Sequence, residues 1–143
     1  MMPIATIAER AGLSTSPCWR RIQRLEADKI IRKRVALLNP HPLGASVTVF
    51  VSIRTNRHNR EWSDAFCRAV ARLPEVMEFY RMSGQVDYLL RVVVPDIEAY
   101  DRVYKALIDI AELYDVTSSF SMEQIKYTTA LPLSFVRMRR TED

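Results

Sequence analysis

Ser14, Thr15, Ser16, Arg20, Gln23 and Arg24 lie close together in the chain, and their chemistry suits a nucleic-acid groove. Arginine can donate two hydrogen bonds to guanine O6 and N7, and glutamine can pair with adenine N6 and N7. Hydroxyls and free backbone amides at the entrance of a helix suit phosphate oxygens. Trp19, between them, fits either a sugar-phosphate contact or a structural contact between subunits. Arg32, Lys33 and Arg34 follow as three adjacent cations, which would add sequence-independent, salt-sensitive affinity through counterion release. Ser14, Thr15, Ser16, Trp19, Arg20, Gln23, Arg24, Arg32, Lys33 and Arg34 are therefore the candidate DNA-binding residues. The bland alternative is a solvated polar helix face, with Glu26 serving as an ion-pair partner and Arg21 bracing the fold.

A second constellation is Ser83-Gly84-Gln85-Val86-Asp87-Tyr88. Gly84 permits close backbone approach, Asp87 can receive an ammonium or a backbone amide, and Ser83 and Tyr88 add polar contacts, as a small-ligand site needs. The same residues also suit a plain tight connection capped by Asp87.

Catalytic chemistry is poorly supplied. His41 and His58 both stand beside turns or polar linkers, with no compact acid-base or metal-ligating group around them. Cys18 and Cys67 are far apart and show neither metal-knuckle nor redox-pair spacing, so a disulfide framework is not expected. Cys18 falls on an apolar helix face and reads as a small core residue. No cofactor is expected and no enzymatic activity is assigned.

The elements that would position the first constellation begin with Pro3, tolerated in a first helical turn, and a helix with Ile4, Ile7 and Ala8 on one face. Gly12 breaks it, and Leu13 can drop between this helix and the next. Ser14 can cap the second helix, with Ser16 before Pro17 as the alternative. Cys18, Ile22, Leu25 and the stem of Lys29 share its packing stripe, leaving Ser16, Arg20, Gln23 and Arg24 directed away. Two short helices around a glycine turn make a helix-turn-helix. Arg32-Lys33-Arg34 and Val35-Ala36-Leu37-Leu38 read as a basic turn and strand. A helix pair of this size cannot bury both apolar faces alone, so a further element or subunit is expected to cover it.

Asn39-Pro40-His41-Pro42 is a stiff boundary. The expected modules are residues 1–41, a winged helix-turn-helix, and 42–143, a larger module of strands and helices. In the second, Val47, Val49, Val51 and Ile53 alternate as a strand with Phe50 on the opposite face. A helix over 60–73, strands over 76–82 and 86–94, a helix from Pro95-Asp96 and a last strand near 116–126 complete the order. That is βαββαβ, an α+β fold of ferredoxin-like type. The sheet face carrying Phe50 would expose apolar area, so a homodimer is expected. Residues 126–133 read as an extended tail, and Arg137, Arg139 and Arg140 as a solvated basic end.

Charge is distributed unevenly. Residues 1–40 hold 8 Lys/Arg and 3 Asp/Glu of the chain's 21 and 17, a net +5 against −1 for the remainder. Such asymmetry suits a polyanionic partner at one end, without by itself distinguishing double-stranded DNA from RNA or an anionic membrane. No apolar run approaches the roughly 18 residues of a membrane span, and no signal-peptide pattern opens the chain, making a cytoplasmic location the default.

Together, IAERAGLS (7–14), WRRIQRLEADKIIRK (19–33), LNPHPLG (38–44), PEVMEFYRMSGQVDYLLRVVV (74–94) and VTSSFSMEQIKYTTALPL (116–133) resemble the Lrp/AsnC family of leucine-responsive and asparagine-related transcriptional regulators. The resemblance implies DNA-binding dimers that assemble further, often to octamers, and respond to a small molecule, commonly an amino acid held between neighbouring sensing domains. Carried onto this chain, it implies effector binding by Ser83, Gly84, Gln85, Asp87 and Tyr88. Family members usually begin with one more helix, for which this chain has no counterpart. That departure gives a rival expectation, an amino-acid-binding oligomer without autonomous DNA binding.

Overall fold

The computed structural model describes residues 2–57, 59–110 and 113–134. The chain divides into two compact units, one ending at Asn39 and one beginning at Pro40.

The first unit contains helices α1 (Ile4–Arg10) and α2 (Thr15–Ala27). Pro3 is the N-cap of α1, with φ −59°. At the other end the Gly12 amide donates to the Glu9 carbonyl at 3.1 Å and the Leu13 amide to the Ala8 carbonyl at 2.9 Å. This is a Schellman closure, and Gly12 adopts the left-handed φ of +63° that it requires. Helix α2 starts after Ser14, whose backbone carbonyl accepts from the Cys18 amide at 3.2 Å. Ser14, rather than Ser16, is therefore the cap position. Pro17 sits in the first turn, where no intrahelical donor is required. Ala8 and Cys18 are the buried side chains, with Ile4, Ile7, Leu13, Ile22 and Ile31 half-buried around them.

Helix α2 ends in the same closure, the Lys29 amide donating to Glu26 at 3.1 Å and the Ile30 amide to Leu25 at 2.9 Å. Here the left-handed residue is Lys29, with φ 60°. Its side chain does not extend the packing stripe as the sequence suggested, because the helix has already stopped at Ala27 and Lys29 is exposed. The basic strand expected after the helix pair is also absent: residues 33–39 have no regular secondary structure. The described part of this unit contains no other strand to supply a partner, and an unpaired ribbon leaves its backbone groups to water.

The second unit opens with a 3-10 turn, His41–Leu43, closed by Gly44 at φ +73°. It continues as β1 (Val47–Arg54), α3 (Arg60–Val70), β2 (Val76–Arg81), β3 (Tyr88–Val94), α4 (Ile97–Ile110) and β4 (Asp115–Phe120). Asn59 caps α3 through its side-chain oxygen, which accepts from the Trp62 amide at 2.8 Å. Asp96 does the same for α4, accepting from the Ala99 amide at 2.7 Å. The strands form one antiparallel sheet in the order β2-β3-β1-β4, so the two central strands are β1 and β3. This is the ferredoxin-like arrangement expected from the βαββαβ order.

Period-two alternation assigns the faces. Val49, Val51 and Ile53 from β1, with Leu90, Val92 and Val94 from β3, turn inward against Phe66 and Val70 of α3 and Tyr100, Val103 and Leu107 of α4. The Tyr100 hydroxyl pairs with Ser118 of β4. Strand β4 is shorter than the sequence suggested. Phe120 pairs with Val49 and the Ser121 amide reaches the Thr48 carbonyl at 2.9 Å, after which β1 has run out. Residues 122–134 are exposed and have no regular strand.

Candidate functional site

The first candidate surface is the outward face of α2. Ser14, Thr15, Ser16, Trp19, Arg20, Gln23 and Arg24 are all exposed, as their spacing opposite buried Cys18 requires. The Ser14 hydroxyl makes no capping bond, so it is available to another acceptor or donor. Arg24 lies 3.7 Å from Asp28 in an exposed i,i+4 pair, a weak restraint in water.

Glu26 organises the end of this face. It accepts from Arg34 at 2.7 Å and from Gln23 at 3.4 Å, and so ties the segment after the helix back to α2. Arg34 is thereby partly neutralised, whereas Arg32 and Lys33 have no ion-pair partner among the described residues. The three cations that looked equivalent in the sequence are thus unequal in the fold.

The second candidate site is a cleft of about 550 Å³ within the sheet-and-helix unit. Thr55 and Arg57 reach it from the end of β1, Asn59, Arg60, Ser63 and Asp64 from the start of α3, Arg81 and Met82 from the end of β2, and Asp87 and Tyr88 from the start of β3. Antiparallel pairing puts the end of β1 beside the start of β3, and the end of β2 beside that same start. Three strand termini and a helix N-terminus therefore converge there.

Asp87 holds this corner together. Its Oδ2 accepts from the Thr55 amide at 2.7 Å, its amide donates to the Ile53 carbonyl at 2.9 Å, and its carbonyl accepts from the Met82 amide at 2.8 Å. Tyr88 is buried among Phe66 and Phe79, with its hydroxyl 2.8 Å from Ser63 Oγ. Of the five effector candidates, Asp87 and Tyr88 line the cleft, while Ser83, Gly84 and Gln85 lie on the exposed turn beyond it. Gly84 has φ +123°, and a Cβ there would meet nothing within 4 Å, so its glycine answers to backbone conformation rather than close approach.

Thr55, Arg57, Arg60, Ser63, Asp64 and Arg81 escaped the reading of the sequence because they come from separated segments. The polar run Thr55-Asn56-Arg57-His58-Asn59-Arg60 between strand and helix was the available signal. His58, like Arg137, Arg139 and Arg140, lies outside the described residues. Among the described residues no group of three or more metal-ligating side chains occurs, and no helix is long and apolar enough to cross a membrane.

The sheet face opposite the helices carries a third polar arrangement. Glu78 accepts from Arg91 Nη2 at 2.6 Å and Nε at 2.7 Å, and from the Tyr80 hydroxyl at 2.8 Å. The Tyr80 hydrogen bond, together with Arg91, holds the Glu78 carboxyl below the ordinary carboxylate value despite some burial. The same bond to Glu78 pushes the Tyr80 phenol up. Phe50 and Tyr80 on this face are 40% and 51% exposed.

Comparison with known proteins agrees with this division. Residues 2–32 match the winged helix-turn-helix DNA-binding family and residues 48–131 the Lrp/AsnC ligand binding domain. The glutamate uptake regulatory protein of Zymomonas mobilis is 49% identical over 130 residues, covering 91% of this chain and 79% of its own length. The crystal structure of an AsnC family transcriptional regulator from Agrobacterium tumefaciens superposes with a TM-score of 0.92 at 59% identity, over 96% of this chain and 90% of that one. A transcriptional regulator from Neisseria meningitidis, solved as an L-Met complex, gives a TM-score of 0.87 at 33% identity, over 93% and 86%.

Proposed function

The chain belongs to the Lrp/AsnC family of transcriptional regulators, non-enzymatic DNA-binding proteins, and from that premise we propose that it reads a specific double-stranded sequence under the control of an amino acid. The observation that carries the DNA half is the outward face of α2, where Arg20 and Gln23 stand exposed opposite the buried Cys18. In this reading Arg20 and Gln23 contact base edges, Ser14, Thr15, Ser16, Trp19 and Arg24 hold the backbone, and Arg32, Lys33 and Arg34 add charge.

The effector half rests on the 550 Å³ cleft around Asp87, which has the size and mixed lining of a small-molecule site. Ser83, Gly84 and Gln85, on the adjoining turn, would complete it in contact with a neighbouring subunit. An amino-acid effector is supported by the L-Met complex of the Neisseria relative and by the name of the Zymomonas one. Assembly is a dimer through the sheet face bearing Phe50 and Tyr80, with an octamer as its further product.

Fluorescence anisotropy of the 143-residue chain on its own genomic fragments, across a salt series, tests the DNA reading. Selective binding is expected, and Arg20→Ala should weaken it by about 1–3 kcal/mol and relax selectivity at one base position. Equal affinity for all fragments, unchanged by Arg20→Ala, would defeat this reading.

A further inference from the structure

The tail after β4 is patterned like a strand, yet its own chain makes no use of the pattern. Ile125, Tyr127, Leu131 and Leu133, with Thr129 in the middle, occupy alternate positions, and Gln124, Lys126 and Thr128 fall on the other side. That is the period of a strand with one apolar face. Residues 122–134 nevertheless have no regular secondary structure, and their large apolar side chains range from 59% exposed at Tyr127 to 96% at Met122. The Ser121 amide on the Thr48 carbonyl is the last backbone bond to the sheet among the described residues. Farther on, the Ala130 amide turns to a local side chain, donating to Thr128 Oγ1 at 3.1 Å. Folding back onto the sheet would need a reversal directly after β4, and Ser121-Met122-Glu123-Gln124 contains no glycine, proline, asparagine or aspartate to make one.

We propose that residues 123–133 are an exchanged arm, which pairs with an outer strand of a second copy's sheet and turns Ile125, Tyr127, Leu131 and Leu133 onto the Phe50 and Tyr80 face of that copy. This rests on the dimer reading above and names the segment that secures it. The order β2-β3-β1-β4 leaves β2 and β4 each with an unpaired edge, which is the partner that the backbone of a lone strand requires. Fully extended, residues 123–133 reach about 35 Å, against about 14 Å between the outer strands of a four-stranded sheet, so the arm is long enough to cross. A stable pair of proteins buries about 1,200–2,000 Å² in all, and two such arms with their apolar side chains covered supply on the order of 1,000 Å² of it. Gln124, Lys126 and Thr128 remain in water on the other side. Pro132 stands near the far end, where a missing amide is tolerated.

Sedimentation equilibrium and amide exchange of the full chain over a concentration series test this. Amides of residues 123–133 should gain protection in step with dimer formation. The double variant Ile125→Ser/Leu131→Ser, at positions 90% and 77% exposed within one chain, should weaken dimerisation about tenfold or more without altering the circular dichroism. Gln124→Ser/Thr128→Ser, on the polar side, should change neither. Protection independent of concentration would place the tail on its own chain and overturn the exchange. A dimer whose tail stays unprotected, or whose strength is indifferent to the apolar pair, would overturn the arm and leave the dimer reading standing. A chain that stays monomeric throughout would remove both.

Discussion

The two units of this chain spend their residues in opposite ways. In the helix pair the buried side chains are Ala8 and Cys18, and the chemically capable groups nearly all face water. In the sheet-and-helix unit a continuous cluster from Val49 to Leu107 is buried, and the polar groups of the cleft gather where strands end and α3 begins. A helix pair that must offer one face to a groove has only the other on which to build a core. A sheet covered by helices can bury one face fully and still gather side chains where strands terminate. In the proposed reading, recognition in the first unit rests on exposure along one helix, and in the second on convergence of several segments.

The largest expected effect breaks the second unit. Leu90, fully buried on central strand β3, should cost about 2–5 kcal/mol when replaced by alanine, because the transfer energy is lost and a cavity remains. Urea unfolding followed by circular dichroism checks it. Amide exchange of residues 4–27 in the same variant should be unaffected if the two units are independent in stability.

A smaller pair of substitutions probes the first unit through its two matching helix ends. Gly12 and Lys29 occupy the same left-handed position, with φ +63° and 60°. A Cβ at Gly12 would meet nothing within 4 Å, so any penalty there belongs to the backbone alone. Gly12→Val should destabilise the helix pair by about 1–2 kcal/mol, and Lys29→Gly should stabilise it by about 0.5–1 kcal/mol. Amide exchange within residues 4–27 reads both. Equal protection in the two variants would mean that backbone strain does not limit this unit.

The glycine turn was legible because Gly12 announces it, whereas Lys29 carries no such mark: its place is set by where α2 stops, and side-chain periodicity continues past that point. The ferredoxin-like unit was legible for the converse reason. Alternation of Val47, Val49, Val51 and Ile53, with Phe50 between, records burial directly, and the beginning of α4 is marked by Pro95-Asp96, whereas the Asn59 cap of α3 went unread. The strand expected near Val35 failed because its apolar pattern says nothing about whether a partner strand exists. The cleft was half legible: Asp87 and Tyr88 stood out beside Gly84, but Arg57, Arg60 and Arg81 are brought together by strand register, which sequence neighbours do not reveal.

Unequal cations after α2 give the next test. Arg34 is bonded to Glu26 at 2.7 Å, whereas Arg32 and Lys33 have no such partner among the described residues. Lys33→Gln should lower the slope of log affinity against log salt by about 0.9, uniformly across DNA sequences, as one lost phosphate contact does. Arg34→Gln should change the slope less. Equal slopes for the two variants would show that the pair with Glu26 opens when DNA binds, and would erase the distinction.

The smallest effect concerns pH and the sheet face away from the helices. The Tyr80 hydroxyl and Arg91 hold the Glu78 carboxyl below its usual value of 4.5 in the folded chain. A depressed folded value means that the contribution to stability is fully present above the unfolded value and is lost as pH falls through the folded one. Between about pH 5 and pH 3 the melting temperature should therefore fall slightly more in the native chain than in Glu78→Gln. With its side chain 38% exposed, Glu78 is screened by water, and the difference should shrink further at high salt. An identical acid dependence in the two proteins would mean that the triad of Glu78, Tyr80 and Arg91 orients side chains without stabilising the sheet. Polar groups on the uncovered face would then behave like those on α2, held in position but contributing nothing measurable to the fold.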